Sequence, residues 1–259
     1  MKRREFVILL GGAAGAWPIA ARAQQPVMPV IGFLNSGSAA GREQHLAAFR
    51  QGLEETGHAE GRNVAVEYRW AEGRYERLPE LAAELVRRRV AVIAATGGSV
   101  APLAAKDATT TIPIVCVFDG DPVAFGLVAS INRPGGNVTG ISLVASIIEA
   151  KQLELLHELV PKARVIAILV NASNSNAKII AGDLQAAART LGLEPHVLDA
   201  SRESDFDAVS AMLERLRPDA LVVATDPFFL DHRDRLVALT ARHAIPAVFG
   251  RREFAVIGG

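Results

Sequence analysis

Val165-Ile166-Ala167-Ile168-Leu169-Val170 is an unbroken apolar run, followed at once by Asn171-Ala172-Ser173-Asn174 and then by the amphipathic stretch Asn176–Leu191. A run of this length without a polar residue suits a strand covered on both faces, as in a parallel sheet. A short polar loop leading into a helix makes it one half of a βαβ unit. The order recurs along the chain. Val30–Leu34, Val90–Ala95, Ile112–Phe118, Val138–Ile141, Glu194–Leu198, Ala220–Ala224 and Ala247–Phe249 read as further strands. Asn63–Trp70 alternates instead, with Val64, Val66 and Tyr68 on one side and Glu67 and Arg69 on the other, which places it near a sheet edge.

Helical spacing fills the gaps. Glu43–Thr56 sets Leu46, Phe49 and Leu53 on one face and ends at Gly57, a C-terminal cap. Arg77–Arg89 carries Leu78, Leu81 and Leu85, with Pro79 tolerated in the first turn. Glu149–Val160 is stopped by Pro161, and Phe206–Leu216 follows the same pattern. Repeated strand–helix alternation predicts a parallel α/β fold. The turn cluster Arg133-Pro134-Gly135-Gly136-Asn137 and the short run to Ser142 divide it into two similar lobes joined by a crossing segment.

Composition narrows the class. The chain has 259 residues, 50% of them hydrophobic and 22% charged, which excludes a disordered or collagen-like chain. A single cysteine excludes a disulfide framework and any cysteine-built zinc or iron–sulfur centre. Basic and acidic residues balance at 28 each, so charge gives no reason to expect nucleic acid. That balance hides an asymmetry: residues 1–23 hold Lys2, Arg3, Arg4 and Arg22 against Glu5 alone. The rest carries 24 basic and 27 acidic residues. A basic start, a mildly apolar stretch Phe6–Ala20 and then Ala21-Arg22-Ala23 read as a cleaved export signal, and Arg3-Arg4-Glu5-Phe6 fits a twin-arginine core. The apolar stretch is interrupted by Pro18 and is too short to span a bilayer. The expectation is a periplasmic protein with no stable membrane insertion after cleavage.

In open parallel sheets ligands bind beyond the carboxyl ends of the strands. Those ends are small and polar here: Asn35 and Ser36; Thr96, Gly97, Gly98 and Ser99; Asp119 and Asp121; Asn171 and Asn174; Thr225 and Asp226. Backbone N–H groups and hydroxyls at helix starts suit a carboxylate, and Asp119, Asp121 and Asp226 could hold an ammonium, so the set fits a zwitterion. The same residue types are the ordinary N-caps of helices, which any one of these loops satisfies without a ligand. Trp70, Tyr75, Phe118 and Phe249 are the aromatics near strand ends, with Phe118 assigned to the core and Tyr75 to a loop that could stack on a ligand. No H-E-x-x-H, G-x-S-x-G or P-loop pattern occurs. The six histidines are scattered, and Asp231-His232-Arg233-Asp234 reads as a helix start capped by Asp231. No metal, cofactor or catalytic group is expected.

The signal residues Arg3–Phe6 and Ala21–Gln25, together with Pro29–Ser36, Val66–Gly73, Ala95–Gly98, Gly120–Val123 and Asn132–Gly140, resemble the tryptophan/tyrosine-type ABC transporter substrate-binding proteins. The resemblance covers essentially the whole chain. It implies an α/β class I periplasmic-binding-protein fold, with two Rossmann-like lobes and parallel sheets joined by a hinge, closing on a small ligand and docking on a permease. It also implies a longer chain than this one, since Arg252-Glu253-Phe254 leads into Gly258-Gly259 where family members continue back to the first lobe. The resulting division is 1–23 signal, 24–142 first lobe, 143–248 second lobe and 249–259 the start of a return segment. The function expected is a monomeric solute receptor for an amino acid or similar carboxylate. A sensory ligand-binding module, or a periplasmic α/β enzyme, is the alternative.

Overall fold

The computed structural model describes residues 28–143 and 145–259; the expected export segment 1–23 lies outside them. Two wholly parallel sheets are present among the described residues. The first has five strands: β1 (Val30–Asn35), β2 (Ala65–Trp70), β3 (Val92–Thr96), β4 (Ile114–Asp119) and β5 (Val138–Leu143), in the order β2-β1-β3-β4-β5. The second has four: β6 (Val165–Val170), β7 (Glu194–Asp199), β8 (Ala220–Val223) and β9 (Ala247–Phe249), in the order β7-β6-β8-β9. The alternating segment is the edge strand β2, and the apolar run at 165 is a central strand with β7 on one side and β8 on the other.

Helices cover the sheets as the apolar spacing directs. In the first sheet, α1 (Glu43–Glu55) lays Leu46, Phe49 and Leu53 against Phe33, Val66, Tyr68 and Trp70. It stops where Gly57 takes a left-handed φ of 82° and its N–H reaches the Glu54 carbonyl. On the opposite face, α2 (Leu78–Arg87) buries Leu78, Leu81 and Leu85, and α3 (Val100–Ala108) buries Val100, Ala101 and Ala105. The second sheet is packed by α4 (Ala145–Leu159) and α5 (Ala177–Thr190), through Leu153, Leu156 and Leu184 against Ile166, Ile168 and Val222. Its other face carries α6 (Asp205–Leu216), with Phe206, Val209 and Leu213 buried.

Chain connections after β8 depart from the sequence reading. Asp231 does not cap a following helix. It closes the short α7 (Pro227–Asp231), after which His232 intervenes before α8 (Arg233–His243). Its carboxylate instead accepts from the Ser38 N–H and from Arg42, both at the end of the first sheet. The last strand runs into α9 (Arg252–Val256).

Gly140 pairs with Cys116 and has a φ of 156°; a Cβ there would collide with the Cys116 carbonyl, so only glycine lets the strands approach. Beyond α1, the face shared by Val115, Ile141 and Leu143 is open to solvent, with Ile141 64% exposed.

Candidate functional site

The carboxyl ends of the two sheets face each other, and side chains from one interlock with side chains from the other. Asp226, at the start of α7, is the centre of this contact. Tyr75 donates its hydroxyl to Asp226 Oδ1 at 2.7 Å across the interface. Asn171 Nδ2 and the Phe228 N–H donate to the same oxygen at 3.0 and 2.9 Å, and Asn174 Nδ2 donates to Oδ2 at 2.7 Å. Burial pushes the Asp226 carboxyl above the usual aspartate value, while these four donors pull it back down. The Tyr75 phenol is driven well above its ordinary value, first by burial and then by the neighbouring carboxylate.

Further bonds join the sheets. Ser99 occupies the N-cap position of α3 but makes no capping bond; its hydroxyl donates to Asn174 Oδ1 at 3.2 Å. Asn176 Nδ2 donates to the Asp119 carbonyl at 2.8 Å. Arg42 donates to Asp231 Oδ1 at 2.9 Å, with both side chains nearly buried. Apolar packing is continuous through the same contact, because Tyr75 and Phe228 belong to one cluster that runs from Leu85 under the first sheet to Leu213 under the second.

Beside this interlock lies a cavity of about 380 Å³. Its polar wall comes from strand ends of both sheets: Asn35, Thr96, Gly97, Gly98 and Asp119 from the first, Thr225 and Asp226 from the second. Its apolar wall is Phe33, Leu46, Phe49, Trp70, Val117 and Leu143 from the first lobe with Pro227 and Leu230 from the second, and Arg42, His45, Arg251 and Glu253 complete the lining. A chamber of this size, mostly apolar with a few convergent polar groups, is the usual form of a small-molecule site.

The remaining expected residues sit elsewhere. Ser36 is fully buried and donates to the Gly97 carbonyl. Asn171 and Asn174 are buried against Asp226. Asp121 is exposed and caps the turn after it, accepting from the Val123 and Ala124 N–H groups; it borders a separate pocket of about 190 Å³ that also takes in Asp119 and Asn176. Tyr75 is buried in a 3₁₀ turn rather than held on an open loop. It borders a wide groove of about 1180 Å³, and its bond to Asp226 lies between that groove and the cavity. Trp70 lines the cavity, Phe118 is in the core, and Phe249 stacks on Phe254 with ring centres 4.4 Å apart.

The backbone of the Gly97–Gly98 turn is shaped for close approach. Both residues have left-handed φ values, 86° and 83°. A Cβ on Gly97 would lie 2.7 Å from Ser36 Oγ and 2.8 Å from Asn35 Oδ1. Asn35 is itself fixed, donating to Thr96 Oγ1 and accepting from the Gly37 N–H, both at 2.8 Å.

Four side chains that sequence reasoning missed belong to the site. Arg42 and Asp231 form the ion pair above, 189 residues apart, and Arg251 enters the cavity from the turn after β9. Glu149 on α4 is 2% exposed; one oxygen accepts from the Thr225 N–H at 2.7 Å, and Oε2 has no partner among the described residues. Burial raises its carboxyl above the usual range, the Thr225 bonds oppose this, and Asp119 and Asp226 add to the rise. The available signal was its spacing: Glu149 lies four residues before Leu153 and so shares the apolar face of the helix. A serine–histidine contact also exists, Ser210 to His243 at 2.8 Å, but it lies between α6 and α8 and borders none of the cavities above.

Two parallel α/β lobes with a chamber between their strand ends are the class of fold this geometry defines. Residues 31–259 match the model of the ABC transporter substrate binding protein family, and the chain belongs to that family. It is 31% identical over 201 residues to a tyrosine-binding protein of Clostridioides difficile (strain R20291). That alignment takes in 77% of this chain and 57% of the relative, so the chain spans little more than half of that protein's length. Among solved structures, an ABC domain in complex with L-Trp from Streptococcus pneumonia aligns with a TM-score of 0.78 at 23% identity, over 89% of this chain and 77% of that one. A ligand-free, open substrate-binding protein from Clostridium difficile aligns at 0.54 and 26% identity, over 85% and 73%. These likenesses establish the class I periplasmic-binding-protein fold.

Proposed function

We propose that the protein is an extracytoplasmic solute receptor that binds an amino acid or a similar small carboxylate in the 380 Å³ cavity and presents its closed form to an ABC transporter permease. The observation that carries this reading is the composition of that cavity: polar strand ends of both lobes on one side, an aromatic and aliphatic wall on the other. The Gly97–Gly98 turn offers its backbone N–H groups to a carboxylate. Asp119 offers an acceptor to an ammonium, and Phe33, Phe49 and Trp70 offer contact to an apolar side chain. A relative that is a tyrosine-binding protein and a structural neighbour holding L-Trp support that ligand class.

Because both lobes contribute walls, ligand stabilises the closed arrangement by its differential affinity for it. In this reading residues 1–23 direct export and are removed, 24–142 and 143–248 form the lobes, and 249–259 turn back toward the first. The receptor works as a monomer, without turnover. Among the described residues no helix is long and apolar enough to cross a membrane.

Calorimetric titration of the purified chain with the common amino acids and small carboxylates tests the proposal, followed by recovery of the ligand for mass measurement. Binding with intact ligand recovered is the expected result, with about 2.7 kcal/mol of added stability at 100 times the dissociation constant. Absence of binding across the panel refutes the receptor reading, and a chemically altered ligand favours the enzyme.

A further inference from the structure

Within that reading, we propose that Arg251 is the carboxylate anchor of the cavity and that, opposite Asp119, it makes the site select zwitterions over plain acids and plain amines. Arg42 and Asp226 in the chamber wall, and Asp121 beside it, are already engaged. Arg42 donates through Nε to the Ser38 carbonyl and through Nη2 to Asp231, both at 2.9 Å. Asp226 accepts four hydrogen bonds. Asp121 caps its own turn.

Arg251 and Asp119 are different. They form a loose ion pair across the lobes, 3.8 Å from Arg251 Nη2 to Asp119 Oδ2, too long for a hydrogen bond, with the Arg251 side chain 40% exposed, so each keeps its hydrogen-bonding capacity for a ligand. Neither the guanidinium nor the carboxylate makes a side-chain hydrogen bond to any described residue, although both line the cavity and the Asp119 side chain is only 16% exposed. A carboxylate held largely away from water with no donor is a group waiting for one. Glu253, two residues further along the same wall, makes no ion pair with Arg251 at 4 Å or less.

The placement fits an α-amino acid. Asp119 ends β4 in the first sheet and Arg251 follows β9 in the second. The Gly97–Gly98 turn is adjacent, since a Cβ on Gly98 would lie 3.8 Å from Asp119 Oδ2. An ammonium on Asp119 and a carboxylate shared by Arg251 and the glycine turn complete the donors and acceptors that the protein leaves open. A guanidinium can take a carboxylate through two parallel N–H groups, which a lysine or histidine cannot. The ligand's two charges thereby bridge the two lobes.

The test compares L-tryptophan with its amide, which lacks the carboxylate, and with indole-3-propionate, which lacks the ammonium. Each is titrated calorimetrically into the full chain, into Arg251→Gln and into Asp119→Asn, with circular dichroism confirming that each variant is folded. The wild type is expected to prefer tryptophan over either analogue by about 10- to 100-fold, the value of a charge-assisted hydrogen bond. Arg251→Gln is expected to lose the preference over the amide and keep the preference over the propionate; Asp119→Asn is expected to do the reverse. Arg251→Gln that binds tryptophan and still discriminates against the amide as the wild type does overturns the assignment of Arg251 while leaving the receptor reading intact. Where the wider panel selects another amino acid, its own amide and desamino acid take the place of these analogues; a wild type that binds no amino acid overturns both.

Discussion

Replacing Tyr75 by phenylalanine removes one oxygen from the interface and leaves the ring in place. That oxygen donates to Asp226 Oδ1 at 2.7 Å and accepts from the Phe228 N–H at 3.3 Å, an N–H that keeps Asp226 Oδ1 as its other acceptor. Tyr75 does not line the 380 Å³ cavity, so no ligand contact is deleted with it. What is lost is a buried hydrogen bond to a carboxylate that joins the two lobes, worth about 1.5–3 kcal/mol. Asp226 retains its three other donors, all from the second lobe, so that lobe keeps its local order. The whole penalty therefore falls on the equilibrium between open and closed forms, shifting it roughly 10- to 150-fold toward open. Apparent ligand affinity falls by up to that factor where the closed form is the binding-competent one. Small-angle scattering of the ligand-saturated and ligand-free variant, with calorimetric affinities, reads both effects. A Tyr75→Phe protein with wild-type scattering and an affinity within twofold refutes the claim that this bond governs closure.

Asp231→Asn breaks the pairing with Arg42, a nearly buried ion pair across the same interface, and is expected to open the lobes by a further about 1–3 kcal/mol, visible as a larger radius of gyration. Gly97→Ala meets Ser36 and Asn35 at 2.7 and 2.8 Å and forces a left-handed φ on an alanine, so thermal unfolding should show a loss of at least about 1–2 kcal/mol, together with weakened binding. Glu149→Gln keeps the acceptor for the Thr225 N–H and removes a buried charge. Since the folded carboxyl titrates above its unfolded value, the wild type loses stability as pH rises through that folded value, and the variant does not. Thermal melts of the two should therefore coincide near pH 4, with the variant ahead at pH 7; equal curves at both pH values would count against an ionised, underpaired Glu149.

Continuous apolar runs such as Val165–Val170 announce central strands because both faces must be covered, and alternation in Asn63–Trp70 announces an edge. Polar strand ends were legible for the same reason: a parallel sheet puts them where helices begin. Their individual roles were not. Asn171 and Asn174 serve Asp226, whereas Thr225 beside them faces the cavity, and local sequence is the same kind of polar loop in both cases. The α3 helix, Val100–Ala108, has no clear periodic signal because its apolar content, Val-Ala-Pro-Leu-Ala-Ala, has little amphipathic contrast; packing under the first sheet makes it a helix. Arg42 meets Asp231 and Arg251 meets the Asp119 side only once two lobes are folded and apposed, so no local pattern marks them.

The open face of β4 and β5 has a practical consequence at the bench. Val115, Ile141 and Leu143 offer a folded, solvent-facing oily strip to any solvatochromic dye, so such dyes will glow on the native protein and mask its melting. Trp70, set in the chamber wall, supplies an internal fluorophore whose emission responds to occupancy instead. Screens of ligands without an indole ring belong on that intrinsic signal.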